Sequence, residues 1–219
     1  MRRLWTYAVD YAFALKLWMR SLVNARDDSQ YLGGDLAPVV LLPGVYETWT
    51  FLRPLAARIH SLGHPVHVVR QLGRNTRSVP AAAAIAQRYL DAHDLRHVVL
   101  VAHSKGGLIG KHMMLLDDAS GRVDRLVAIA TPFGGTRYAR YMLDPSLRAF
   151  RPAEKTVAML TANAAANARI VSIYGDDDTH IPEGCELPGA TNLSFPVSGH
   201  FRVLADARVL AAVDAAVGQ

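Results

Sequence analysis

The 219-residue sequence holds one cysteine, Cys185, so no disulfide can form within the chain and packing must hold the fold together. A membrane-spanning helix needs roughly 20 consecutive apolar residues, and no such run is present. Charge of one sign is also missing. The 24 Lys and Arg are spread among 19 Asp and Glu, and the formal net charge of +5 comes from no dense basic block. Without such a block, or basic residues interleaved with aromatics, nucleic acid is not an expected partner. No Gly-x-Gly-x-x-Gly follows the first strand-like segment, which removes a dinucleotide site. Gly106 to Lys111 is one residue short of a phosphate loop, with His112 where Ser or Thr belongs. His103 and His112 are off zinc-binding helical spacing, and there is no cysteine cluster. Cys185 lies in a Glu-Gly-Cys-Glu turn whose acidic neighbours disfavour a thiolate nucleophile. Neither cofactor nor metal is expected.

What is present suits one well-buried domain: 51% hydrophobic and 20% charged residues. At the N-terminus, Arg2 and Arg3 before Leu4, Trp5, Ala8 and Val9 have the outline of a secretion signal, but Asp10 and Lys16 break the apolar stretch. Leu4, Ala8, Tyr11, Leu15, Trp18 and Leu22 instead recur at three- and four-residue spacing. Residues 1–36 are therefore expected to be an amphipathic helix and a linker containing Gly33-Gly34, ahead of a main domain over 37–219. Such a helix either packs on the main domain or, using Trp5, Trp18, Lys16, Arg20 and Arg26, lies on a membrane. A cytoplasmic protein, at most peripheral to a membrane, is the expectation.

Beyond the linker, apolar runs at 38–42, 65–69, 97–102, 125–130, 169–174 and 191–196 read as strands. Helical spacing falls between them, at 51–62, 80–91, 106–117, in pieces over 136–166, and at 201–217. Alternation of this kind predicts an α/β class fold: a three-layer α/β/α sandwich around a mainly parallel sheet of about six strands. In such sheets chemistry gathers at the carboxyl ends of the strands.

One strand end carries Ala102-His103-Ser104-Lys105-Gly106-Gly107. Strand before, glycine-rich helix after and small residues two positions either side of the serine are the context of a nucleophile elbow, with Ala102 standing where glycine is usual. Read blandly, the same stretch is a strand-to-helix turn with a capping serine. A hydroxyl attacks only when a base takes its proton. His60, His64 and His67 precede the elbow, and His103 and His112 flank it on the wrong side of the turn. His200, in Ser198-Gly199-His200-Phe201 after the last strand, has the right chain order. An acid to orient it should follow the fifth strand, where Asp176, Asp177 and Asp178 stand together. Three adjacent carboxylates can also bind calcium, but one loop supplies them all. Donors to a developing oxyanion would be the backbone N–H groups of Lys105, directly after the serine, and of Val45, after Pro43-Gly44.

These marks together resemble the α/β-hydrolase superfamily, particularly its compact bacterial lipases and esterases. They are Leu-Leu-Pro-Gly-Val at 41–45, the elbow at 102–107, Ala-Thr-Pro-Phe-Gly-Gly at 130–135, the acid loop at 175–182 and Gly199-His200. The resemblance covers about residues 37–217. It departs from the family at Pro43, where histidine is more frequent, and in lacking two initial antiparallel strands. It implies hydrolysis of a carboxylic ester, a small-molecule acyl substrate of a class that includes lipids, by Ser104, Asp178 and His200. Asp178 is favoured over its neighbours because it stands three residues before Ile181-Pro182, like the family's Asp-x-x-Val-Pro. A lid would lie at 136–166, and Tyr46, Phe133, Tyr138 and Tyr141 would contact substrate, although the aromatic residues of that segment equally suit packing of a helix pair. The same triad serves thioesterases and acyltransferases, and the fold also hosts non-catalytic binding proteins.

Overall fold

The computed structural model describes residues 2–23 and 27–218; for residues 2, 3 and 20–23 only the backbone is described. Arg26 and the side chains of Arg20 and Leu22, invoked above, lie outside the described residues.

Short runs of valine, leucine and isoleucine form strands buried on both faces: β1 (Val39–Leu42), β3 (Val98–His103) and β4 (Val123–Ile129). They are joined by β2 (Val66–Val68), β5 (Ile170–Asp177) and β6 (Thr191–Ser198) in one parallel sheet of order β2-β1-β3-β4-β5-β6. Side chains alternate between the two faces, so each face needs its own helical layer. One is covered by α1 (Arg2–Val23), α2 (Arg53–Ser61) and α7 (Ala207–Val217), packing Ala14, Leu17, Leu55, Ile59 and Val213 on the sheet. The other is covered by α3 (Val79–Ala92), α4 (Lys105–His112) and α6 (Lys155–Ala162), through Ala82, Ala86, Leu108 and Leu160. A four-residue helix, α5 (Pro145–Arg148), lies above the strand ends. The predicted three-layer architecture is the observed one.

Several bounds differ, each for a local reason. The helix expected over 106–117 ends at His112 and widens into a π turn over Met113–Asp117. The one expected over 201–217 is broken at Asp206, whose carboxylate accepts the Arg208 N–H at 2.9 Å and so starts α7 afresh. Only the first part of 136–166 overlies the strand ends; α6 is an ordinary outer-layer helix with Val157 and Leu160 in the core. α1 shares the hydrophobic core of the main domain through Ala14 and Leu17.

The chain steps outward from β1 to β2 and then returns to place β3 beside β1, with Leu42 opposite Ala102. This reversal opens a crevice at the carboxyl ends of β1 and β3. Val45 and Ser104 follow those two ends.

Candidate active site

Ser104 holds φ 52° and ψ −117°, a conformation that L residues rarely adopt. The surroundings over-determine it. Its N–H donates to Ile129 O at 2.8 Å, and its carbonyl accepts from Thr131 Oγ1 at 3.0 Å. The close approach of α4 to β1 and to the loop after β4 explains the glycines: a Cβ on Gly106 would lie 2.0 Å from the Leu42 carbonyl oxygen, and one on Gly107 2.0 Å from Thr131 Oγ1. Ala102 is accommodated in the buried strand beneath.

The turn aims Ser104 Oγ at His200, whose Nε2 is 2.9 Å away, while His200 Nδ1 is 2.7 Å from Asp178 Oδ2. Nδ1 faces a carboxylate and so carries the proton, which leaves the Nε2 lone pair facing the serine hydroxyl. Of the three adjacent aspartates, Asp178 alone faces His200. Asp176 accepts a hydrogen bond from Ser194, and Asp177 extends β5, its carbonyl accepting the Gly199 N–H at 2.9 Å. Asp178 Oδ1 accepts the N–H groups of His180 at 2.8 Å and Ile181 at 3.1 Å, so its own following turn locks the carboxylate. Burial raises the Asp178 carboxyl, but the His200 charge and these hydrogen bonds outweigh it and hold it below the usual carboxylate range. Burial likewise opposes a charged His200, yet Asp178, with Glu47 and Asp10 behind it, raises the imidazole above its ordinary value.

Lys105 begins α4, where a helix leaves its first N–H groups without intrahelical partners, and the Val45 N–H has no hydrogen-bond partner among the described residues. The Lys105 side chain turns the other way. Its buried Nζ donates to Asn75 O at 2.8 Å and to Arg77 O, and burial lowers its pKa to about 8.

Ser104 and His200 open onto a cavity of about 440 Å³ with mainly apolar walls. Val45, Tyr46, Tyr138, Tyr141 and Phe150 line one side; Tyr7, Tyr11 and Trp18 of α1 line another. Tyr46 is tied to the segment over the cavity by a hydrogen bond from its hydroxyl to Asp144. Phe133, expected at the substrate, is not there. It is buried in the core beside α4 with Lys111 Nζ over its ring at 5.9 Å, and its neighbour Pro132 takes the wall position instead. The reason is packing: Phe133 joins the hydrophobic cluster that holds Leu108 and Ile109 of α4.

Three groups at the site escape sequence reasoning. His103, placed above on the wrong side of the turn, ends β3 with its ring 5.0 Å from that of His200, donating from Nε2 to the His200 carbonyl at 3.1 Å. Its Nδ1 is 2.8 Å from Glu47 Oε1, and Glu47 Oε2 accepts the Gly44 N–H at 2.7 Å, so this buried pair joins the loop after β1 to the base. His180 lies on the other side of His200 with ring centroids 5.0 Å apart. Burial and the neighbouring His200 lower its pKa to about 4 against the pull of Asp178, so it is neutral at pH 7. From α1, the fully buried Asp10 accepts the backbone N–H groups of His200 at 2.9 Å, Phe201 at 3.0 Å and Arg202 at 2.9 Å. No local pattern signals Asp10, which lies about 190 residues away in sequence.

Asp178, His180 and His200 bring ligand-type atoms within 4.8 Å of one another. Their contacts commit these atoms to hydrogen bonds: His200 to Asp178 and Ser104, and His180 Nε2 to the Tyr11 hydroxyl at 2.9 Å. The cluster is a hydrogen-bonded network.

A six-stranded parallel sheet with a strained serine at the β3–α4 turn, facing a histidine–aspartate pair, defines an α/β-hydrolase-superfamily protein. The sequence profile of the PGAP1-like alpha/beta domain matches residues 66–192, more than half of the chain, and the chain belongs to that family. The match includes Ser104 and Asp178 and stops short of His200. No curated protein matches in sequence. Among solved structures, the mature lipase BlEst2 of Bacillus licheniformis is similar at a TM-score of 0.63 and 16% identity, over 78% of this chain and 91% of its own. The putative non-heme bromoperoxidase BpoC of Mycobacterium tuberculosis gives 0.62 and 16%, over 84% and 91%. The type II thioesterase BorB of the borrelidin biosynthetic cluster gives 0.58 and 19%, over 85% and 94%. At these identities the likeness is one of fold.

Proposed function

We propose that the protein is a serine hydrolase of carboxylic esters. The observation that carries this reading is the hydrogen-bonded chain Ser104–His200–Asp178 at the floor of an apolar cavity. As Ser104 Oγ bonds to the ester carbonyl carbon, its proton passes to His200 Nε2, and Asp178 steadies the imidazolium. The backbone N–H groups of Val45 and Lys105 would receive the developing oxyanion. His200 then hands the proton to the departing alkoxide, leaving an acyl group on Ser104. A water deprotonated by His200 attacks that ester, the acyl–Oγ bond breaks as His200 returns the proton to Ser104, and the acid leaves. The apolar walls favour a hydrocarbon acyl group, with Tyr46, Tyr138 and Tyr141 as contacts. Lipase and thioesterase neighbours agree with acyl chemistry, and the size of the alcohol or thiol is left to a substrate panel.

A fluorophosphonate probe tests the reading: wild type should label at Ser104, mapped by peptide mass. The labelling rate should fall as pH drops through the His200 pKa, which Asp178 raises above the ordinary imidazole value, because the protonated imidazole cannot take the serine proton. Wild type that stays unlabelled, and inert on chromogenic esters of short and long acyl chains, would transfer the protein to the non-catalytic binding class.

The face of α1 turned away from the core supports lipid-surface contact. At 100° per residue, Leu4, Trp5, Ala8, Leu15 and Met19 fall on one arc, and all are exposed, Trp5 at 73%. Leu143, on the segment over the cavity, is 93% exposed. No described helix is long and apolar enough to cross a membrane. The double variant Trp5→Glu/Leu15→Glu should lower co-sedimentation with anionic vesicles by about tenfold or more, while sparing hydrolysis of a water-soluble ester. Equal vesicle binding by variant and wild type would remove this contact.

A further inference from the structure

We infer that Asp10 of the N-terminal helix is a positioning residue for the base: its carboxylate holds the turn that presents His200 to Ser104. The inference rests on the hydrolase reading above.

Consecutive N–H groups of His200, Phe201 and Arg202 converge on one carboxylate, Oδ2 taking the first and Oδ1 the other two. Three amide donors on a buried anion form charge-assisted hydrogen bonds, which fix geometry more firmly than neutral ones. The constraint reaches His200 through its own backbone N–H, while His103 holds the carbonyl of the same residue from the opposite side at 3.1 Å. The imidazole therefore swings from a backbone clamped at both peptide groups. A second observation points the same way. Gly199 holds φ +114°, and a Cβ there would lie 2.5 Å from Asp10 Oδ1, so the residue before the base is shaped to admit this carboxylate. Asp10, Gly199 and His200 all lie outside residues 66–192, so the Asp10 side of the clamp lies beyond the family match, while His103 lies within it.

A structural staple between α1 and the domain would use the same hydrogen bonds, so the test needs a readout that a staple does not move. Asparagine at position 10 keeps the volume, removes the negative charge, and sets an NH2 group where one of the loop N–H groups needs an acceptor. Glutamate keeps the charge and displaces the loop by a methylene. The charged or titratable groups facing His200 are Asp178 and His180 from the loop after β5, His103 from β3, Glu47 from the loop after β1, and Asp10 from α1. Only Asp10 changes in these variants.

Full-length wild type, Asp10→Asn and Asp10→Glu are compared with a short-chain p-nitrophenyl ester and the fluorophosphonate probe across pH, with melting temperatures measured alongside. Asp10→Asn is expected to lower kcat by about 10- to 100-fold with KM changed less than about twofold, since a small misplacement of a catalytic group costs rate. Its acid limb should move to lower pH, because a negative charge near the imidazolium is gone. Asp10→Glu should lose kcat similarly while keeping the limb of wild type. An Asp10→Asn protein with unchanged kcat and limb overturns the inference. So does a loss of kcat that merely tracks melting and is recovered by assay at lower temperature. Should Asp10→Asn fail to fold, Asp10→Glu decides: lowered kcat at constant KM supports the clamp, and wild-type kcat overturns it. If neither variant folds, Asp10 is a folding residue and the inference falls. Failure of the hydrolase reading looks different, since wild type itself would then be inert to ester and probe.

Discussion

Ser104→Ala is expected to abolish ester turnover and probe labelling, lowering kcat by a factor on the order of 10⁵ or more, with little change in melting temperature. The size follows from how the site divides its labour. Removing the hydroxyl removes the bond-forming atom, so the proton acceptor His200 and the steadying Asp178 have nothing left to act on. On the proposed mechanism, what would remain is the cavity and the two backbone donors, enough to bind an ester and polarise it towards water. Stability should hold because alanine occupies the same strained backbone, and the lost contact is one hydrogen bond to His200 Nε2. The measurement is ester hydrolysis by purified wild type and variant beside a thermal melt. A variant that hydrolyses at the wild-type rate would show that the chemistry belongs elsewhere on the molecule.

Gly106→Ala should have the largest effect on stability, a loss of more than about 4 kcal/mol, read as unfolding or insolubility at ordinary temperatures. The added methyl would sit 2.0 Å from the Leu42 carbonyl oxygen and 2.7 Å from its carbon. Both are backbone atoms of β1, held in register with β3, so no side-chain rotation relieves the overlap. Gly107→Ala should cost less, because its nearest neighbour is the Thr131 side chain, although that threonine is also the donor to the Ser104 carbonyl. Denaturant melts of both variants check the order. Wild-type stability in Gly106→Ala would mean that α4 does not approach β1 as described.

The elbow was legible because its requirements are local. The serine and its small neighbours lie within residues 102–107, at the end of a buried strand, and crowding between adjacent elements dictates them. The sheet was legible for a similar reason: short apolar runs separated by helical periodicity admit few parallel arrangements. The resemblance to the family's Asp-x-x-Val-Pro singles out Asp178 among its neighbours, and the structure adds a cause, since Ile181 supplies one of the N–H groups that hold its carboxylate. Phe133 was misplaced because side-chain direction in a Pro-Phe-Gly-Gly turn depends on the packing space beside α4.

Taken alone, the sequence determined the fold class, the strained turn and the order of Ser104, acid and His200, all properties of neighbouring residues or of chain order. Only the tertiary structure decided which distant groups surround the base. His103 with Glu47 on one side, and Asp10 across some 190 residues on the other, carry no mark of their own, because buried polar groups find partners through space. Of the three backbone N–H groups at 200–202, the first two are buried and require an acceptor, and the folded chain supplies it from its first helix.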